Sequence, residues 1–492
     1  MPVKKLCLCI FWGWFIFSHV SAQLIEIKTI PIASDNQFRF QPSFRSGMAN
    51  VSITLDDPML DLFMNPAHGL NLSGYHFYIS PTIYGSDEET YGARTLPLTF
   101  TGKSGNWFGA ISAAVQDMKF DKQTFFPPNE PFIDAIPVPA PRMLQNDVKN
   151  HFLHGSLGYV LTEGITAIGL AATYADLNGV SGVDMLYSQS DAVEQSGSIT
   201  GFRAGVIHSF ATERFIETIL LFEKSKIRHD VFYTDWIFNE EMGYSLPYQR
   251  IEKNLDYTDI WGIHVGYQQP LAGTDWHIGG IITINRKDHP KIPNYELMNI
   301  PRDPGNSWAY NIGLGLSRSQ NGADFGLELI YEPIWSHTWA LAAEPVEKQF
   351  GGIIPVGDRT VDNTFDFSNY ILRVGISRLH IPVGFQMGLE FHTYNYRLKQ
   401  LDYIRSTGRI QNEDWTEWTL TWGLIIDAED FQICYYGRRQ SGVGIPGVNT
   451  GSWRTDAANA VRDFLVAPSG ELTLSEQPVT THQIILSIPL TD

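Results

Sequence analysis

The stretch from residue 366 to residue 398, DFSNYILRVGISRLHIPVGFQMGLEFHTYNYRL, limits the fold more than any other part of this chain. In its first arm Tyr370, Leu372, Val374 and Ile376 take every second position, and Ile371, Arg373, Gly375 and Ser377 lie between them. In its second arm Val383, Phe385, Met387, Leu389 and Phe391 alternate with Gly384, Gln386, Gly388, Glu390 and His392. Successive side chains of a strand point to opposite faces, so each arm has an apolar face and a more polar one. Residues Arg378 to Ile381 leave room only for a tight turn. One such hairpin would suit a soluble sheet. Here the pattern recurs along most of the chain, behind an export signal, which points to an all-β transmembrane antiparallel up-and-down β-barrel.

The same alternation marks GYHFYISPTIYG, ARTLPLTF and WFGAISAAV, then HFLHGSLGYVL with ITAIGLAATYA, and SITGFRAGVIHSF with RFIETILLFEK. It returns at Trp261, Ile263, Val265 and Tyr267, at WHIGGIITIN, and from Trp308 to Leu316 against Phe325 to Tyr331. WTEWTLTWGLIID, FQICYYG and HQIILSIPL complete the series. These arms number about sixteen, or about fourteen if the first pair is miscounted; both are even, as a barrel with both ends on one side requires. Turns of a few residues alternate with long connections around 177–196, 227–254, 287–304, 334–364, 395–412 and 439–479. Short periplasmic turns and long extracellular loops are the habit of outer-membrane barrels.

Residues 1–22 read as a signal peptide: Lys4 and Lys5, the apolar run CLCIFWGWFIF, then Val20-Ser21-Ala22 before Gln23. No later run is long and apolar enough for a membrane helix, and a closed barrel is then the remaining way to satisfy every backbone N–H and C=O in lipid. Cys7 and Cys9 leave with the signal, so the mature chain keeps Cys434 alone and can form no internal disulfide. The formal charge of −18 becomes −20 without Lys4 and Lys5, a surface that repels nucleic acid. Aromatic residues, 13% of the chain, suit the girdles of a barrel at the membrane boundary.

Between the signal and the strands, residues 23–72 form a separate segment. Asp56 and Asp57 precede Pro58, an acidic cap and a first-turn proline; Met59, Leu60, Leu62, Phe63 and Met64 give a short apolar helix face that Asn65-Pro66 stops. This order, with Asn65, Pro66 and Ala67 ahead of the first strand, resembles the outer-membrane long-chain fatty-acid transporter family and its secretion-linked relatives. Where that family continues Gly-Leu, this chain has His68-Gly69-Leu70. The resemblance covers roughly residues 45 to 117 at motif level. It implies a hatch in residues 23–72, with Asp56, Asp57, Asn65, Pro66 and Ala67 as its marks, plugging a barrel formed by residues 73–492. It also implies an outer-membrane channel for small hydrophobic solutes such as fatty acids. The alternative is a barrel that docks a secretion-system protein or anchors a surface protein. Expected partners are outer-membrane lipid, a small hydrophobic solute and the barrel-assembly machinery. One departure is the ending Pro489-Leu490-Thr491-Asp492, which lacks the terminal aromatic residue such barrels usually carry.

Ionisable residues on the polar faces are candidates for the lumen: Arg203, His264, Glu328, Arg373, Glu390 and His392. They read either as a solute path or as internal ion pairs that fill a barrel. The glycines on those faces either leave space for a plug or ligand or allow strong curvature. His154-Gly155-Ser156 would put a base and a nucleophile on one strand face, but no third orienting residue accompanies them, and the chain is not expected to be an enzyme. Asp176, Asn178 and Asp184 have Ca²⁺-like spacing without the closing glutamate, which favours a solvated acidic turn. TDAANAVRDFLV, from Thr455, reads as a short amphipathic helix in the last long connection. No phosphate loop, zinc pattern or nucleotide fingerprint is present, so no cofactor is expected. A soluble propeller would repeat every 40 to 50 residues or so, and this chain does not.

Overall fold

The computed structural model describes residues 24–490 apart from 34, 88–90, 121–141, 144–146, 183–189, 212, 240–242, 290–304, 343–344, 381, 429, 449–464, 466 and 469. Sixteen antiparallel strands form one closed ring. β1 runs Tyr75–Ile79 and resumes at Thr82–Ser86. There follow β2 (Tyr91–Ser104), β3 (Trp107–Phe120), β4 (Asp147–Thr162), β5 (Thr166–Leu177) and β6 (Ala192–Ala211). Next come β7 (Arg214–Asn239), β8 (Tyr244–Pro270), β9 (Trp276–His289), β10 (Gly305–Gln320) and β11 (Ala323–Leu341). β12 (Arg359–His380), β13 (Val383–Asp402), β14 (Thr407–Asp427), β15 (Gln432–Ser441) and β16 (Val479–Leu490) complete the wall. Each strand pairs with its neighbours in sequence, and the last closes on the first, with Tyr75 opposite Leu490.

The alternation read from the sequence becomes an inside and an outside. Outward positions carry large apolar side chains in the open, among them Ile111 (61% exposed), Leu170 and Leu314 (both 66%). In water such a belt would be costly; against acyl chains it is the favourable surface. Closure removes the sheet edges that lipid could not satisfy. Among the described residues no helix is long and apolar enough to cross a membrane.

One end of the ring carries tight turns. Between β10 and β11 the pair Asn321-Gly322 adopts φ of 53° and 71°, the left-handed geometry of a two-residue hairpin, which asparagine and glycine accept at least cost. The other end departs from expectation. Much of 227–254, 334–364 and 395–412, read from the sequence as loop, is strand. A crossing needs about 9–11 tilted residues; β7 has 26 and β8 has 27. Their hairpin rises past its neighbours: β6 pairs with it only as far as Phe232, and β9 begins to pair at Asp259. In these extensions the apolar face turns inward, with Ile227, Val231, Ile334, Phe365 and Leu398 buried against the N-terminal segment, so the lipid-facing alternation is lost while the hydrogen-bond ladder continues.

Residues 24–72 lie within the ring. Their path contains 3-10 turns at Asp35–Phe38, Ser46–Met48 and His68–Asn71 and a one-turn helix, α1, at Asp61–Met64. Their side-chain and backbone partners come from around the wall: Gln116 on β3, Glu217 on β7, Asn285 on β9, Glu328 on β11 and Thr421 on β14.

Candidate functional site

The site is built where the N-terminal segment meets the wall. Asp57 organises its first half. One carboxylate oxygen accepts from the backbone N–H groups of Met59 and Leu60, capping the turn that leads into α1. The same carboxylate accepts from the N–H groups of Phe44 and Arg45 and from the Ser43 hydroxyl. A single buried acid thus pins the start of the helix to the chain a dozen residues earlier. Asp56 is exposed, and its carbonyl accepts from Arg45 Nε at 3.2 Å. The helix ends at Asn65, whose N–H returns to the Asp61 carbonyl and whose side-chain oxygen accepts the Ala67 N–H.

Asn65 also reaches outward. Its Nδ2 donates to Glu217 Oε2 on β7 at 2.7 Å, and His68 Nε2 lies 2.9 Å from the same oxygen. The other carboxylate oxygen of Glu217 lies 3.6 Å from His264 Nε2, while His264 Nδ1 engages Thr283. Burial alone would push the His68 imidazole down, but the hydrogen bond and charge of Glu217 outweigh it and lift His68 to about 9. At neutral pH this is a charge-assisted contact between segment and wall.

Two wall glycines make that approach possible. A Cβ on Gly205 would stand 1.9 Å from Asn65 Oδ1, and one on Gly169 would stand 2.1 Å from the Pro66 carbonyl oxygen. Both face inward, and their missing side chains are the space that Asn65 and Pro66 occupy. Ala67 behind them is fully buried. Around the helix, Leu62, Phe63 and Leu70 pack against Phe108, Val160 and Ile207 in one apolar cluster.

Further along, the contacts turn polar. Glu328 accepts the consecutive N–H groups of Ser52 and Ile53, and Arg45 pairs with Asp324 at 2.8 Å. Lys28, 1% exposed, pairs with Glu417 at 3.1 Å. Between segment and wall remains a chamber of about 250 Å³ lined by Lys28, Arg45 and Arg373 against Glu332, Glu390 and Glu417. It is small, wetted by charge, and bounded by the segment itself.

Each lumen residue named from the sequence faces inward, though the structure divides them. Arg203 donates to the Phe63 carbonyl at 2.8 Å, holding the end of the helix. Glu328 and His264 belong to the contacts just described. Arg373 pairs with Glu390 at 2.6 Å and lies 3.5 Å from Glu328, a wall network that borders the segment. His392 stacks on Tyr394 and approaches Glu332 at 3.5 Å. Glu217, Asp324, Glu417 and Thr421 were missed. Glu217 is flanked on its own face by Phe215, Ile219 and Leu221, so neither face of that strand looks polar in sequence. The His154 ring rests on Phe63 at 4.8 Å, and the Ser156 hydroxyl accepts the Ala110 N–H at 3.0 Å, so both serve packing and the ladder. Asp176 lies 3.8 Å from His151; Asp184 and most of the stretch from Thr455 fall outside the described residues.

No family model matches the chain, and no curated protein matches it in sequence. Among solved structures it is similar to a Pseudomonas aeruginosa FadL homologue (10% identity, 92% of this chain and 100% of that one, TM-score 0.43). It is also similar to the Pseudomonas putida toluene transporter TodX (10%, 94% and 99%, TM-score 0.40) and to CdiB from Acinetobacter baumannii (10%, 85% and 60%, TM-score 0.39).

Proposed function

We propose that this chain is an outer-membrane transporter of small hydrophobic solutes, such as fatty acids, in which residues 23–72 act as a gate. The observation that carries the reading is the seam between α1 and strands β3 to β7. Its lining is apolar, from Leu62 and Phe63 on one side to Phe108 and Ile207 on the other, in contrast to the small charged chamber beside Arg373 and Glu390. If the latch at Glu217 releases, the surface that opens is greasy, and a hydrophobic molecule replaces lost contacts there better than water does. Outer-membrane lipid around the apolar belt and insertion by the barrel-assembly machinery belong to the same reading. The test is to lock the gate. A Cβ on Gly326 would lie 3.3 Å from the Val51 Cβ, close to disulfide spacing. Val51→Cys with Gly326→Cys should abolish uptake of a fluorescent fatty acid when oxidised and regain it when reduced. Uptake unchanged by oxidation, with the disulfide verified, overturns the proposal.

A second reading, a barrel that docks a protein of a secretion system, is favoured by the β7–β8 hairpin. Past Phe232 it carries Ile237, Phe238, Tyr244 and Tyr248 exposed near its tip, and exposed apolar groups clustered on a projection suit a partner. Cross-linking from position 238 in whole cells distinguishes the readings. A single envelope protein captured there, with normal fatty-acid uptake in the deletion strain, would favour docking over transport.

A further inference from the structure

The outer face of the wall directly behind α1 is not a smooth belt. Ile111, Gly155, Ala172, Phe202, Phe222 and Trp261 stand opposite one another on consecutive strands, β3 to β8. All belong to the outward set. The loss of side-chain bulk at Gly155 and Ala172, and at Ala204 one register step nearer the short turns, leaves a trough among large apolar neighbours. Leu157, Leu170 and Leu220 form its lower bank, and Phe222 and Trp261, with ring centroids 4.4 Å apart, its side. The cavity measures about 1450 Å³. The strand ladders beneath it are unbroken, so it is a groove in the wall and not a passage through it. A Cβ on Gly155 would meet nothing within 4 Å.

Above the groove, toward the long connections, the chemistry changes. Lys224, Lys226 and Arg228 are successive outward positions of β7, continuing the face that carries Leu220 and Phe222. Lys224 pairs with Asp259 at 3.1 Å, Lys226 lies over the Tyr257 ring at 5.6 Å and Arg228 pairs with Asp230. Asp259 and Asp230 offset Lys224 and Arg228, and Lys226, over the Tyr257 ring, is the cation of the row that no carboxylate among the described residues pairs. The row of Leu153, which Lys224 shares, lies roughly 20 Å along the tilted strands from the row of Tyr159, and Lys226 and Arg228 lie two and four residues farther, so the row of cations climbs toward the upper edge of an apolar band about 25 Å tall.

We infer that this groove binds one lipid of the leaflet at the long-connection end, an acyl chain lying in the Gly155–Ala172–Ala204 trough and an anionic phosphate headgroup meeting Lys224, Lys226 and Arg228. The inference rests on the bilayer placement in the proposed function. Position selects the occupant, because acyl chains are the medium that reaches an apolar groove within the belt. Charge selects the headgroup, because juxtamembrane cations attract anionic lipid.

The experiment uses the full mature protein, purified in mild detergent and offered phosphatidylglycerol and phosphatidylcholine in equal amounts, with retained lipid read by native mass spectrometry. Wild type should keep the anionic lipid with a preference of about tenfold or more, as a few cations at a membrane surface confer. Lys224→Gln, Lys226→Gln and Arg228→Gln together should bring the ratio near one. Gly155→Trp, which fills open space, should lower retention of both lipids while the barrel stays folded by its heat-dependent gel mobility. Equal retention of the two lipids by wild type, or undiminished retention by a folded Gly155→Trp protein, overturns the inference and leaves the transport reading standing. A mature protein that stays monodisperse without detergent overturns the bilayer placement itself, and the inference with it.

Discussion

The amide of Asn65 and the carboxylate of Glu217 meet at 2.7 Å across 152 residues of sequence. His68 joins the same carboxylate, so one wall residue holds both ends of the turn that follows α1. Removing Glu217 leaves a buried amide and an imidazolium without their acceptor, which costs on the order of 2 kcal/mol in docking of the segment. Glu217→Ala should therefore increase hydrogen exchange across residues 57–72 while the exchange of wall amides stays unchanged. Equal protection of the segment in wild type and variant would show that the contact does not hold it.

Gly205 faces Asn65 with no room for a side chain. In Gly205→Val the new Cβ would fall on Asn65 Oδ1, and neither the backbone of a paired strand nor the helix end can give way by an ångström without losing its bonds. The expected result is a displaced segment, read as protease cleavage between residues 24 and 72, with the barrel still resistant. Gly155→Val, on the outward face where a Cβ meets nothing within 4 Å, is the control that should leave the segment docked.

The proton on His68 gives the latch a pH dependence whose sign follows from its pKa. Docked, His68 titrates at about 9; released, near its ordinary 6.5. A raised pKa means the docked form binds the proton more tightly, so the stabilisation is complete below about 6.5 and disappears as pH rises through about 9. Protease access to the segment should accordingly rise between pH 7 and pH 10. His68→Gln, which keeps a donor but does not titrate, should flatten that rise; an identical pH profile would assign the effect elsewhere.

The β7–β8 hairpin beyond its neighbours should be dispensable to the barrel. Phe232 is the last residue of β7 paired with β6, and Asp259 the first of β8 paired with β9. Replacing residues 234–249 by a two-residue turn removes strand that, among the described residues, pairs with itself alone. Thermal unfolding and gel mobility should match wild type, whereas a large fall in unfolding temperature would mean that the ribbon braces the wall.

Much of the fold was legible because the membrane imposes it. In Tyr370, Leu372, Val374 and Ile376 the outward face must be apolar, and a period of two writes itself into the sequence. The same logic explains the error at 227–254. There Ile227 and Val231 turn inward onto the segment and Arg228 outward, the reverse of the lipid-facing pattern, so the stretch reads as loop although its ladder is continuous. The candidate site was half legible. Asp57, Pro58 and Asn65 announce a capped and stopped helix through local chemistry. Their partners on the wall do not, because Glu217 sits 152 positions from Asn65 and beside Phe215, an apolar residue that packs on the α1 cluster. Lumen acids such as Glu328 were visible as inward charges, but which of them would accept backbone N–H groups from residues 52 and 53 depends on where the segment threads.

The pairing of Tyr75 with Leu490 carries a consequence for biogenesis. The first and final strands can zip together only after the whole polypeptide has been delivered, so the cylinder stays open until the last moment. Residues 24–72, which precede every strand of the wall, have to be resident before that zipper shuts, since afterwards charged side chains such as Lys28 would have to be dragged past a finished rim. Wrapping, not threading, is therefore the order of events this topology favours, with that stretch serving as the mandrel around which the cylinder is wound.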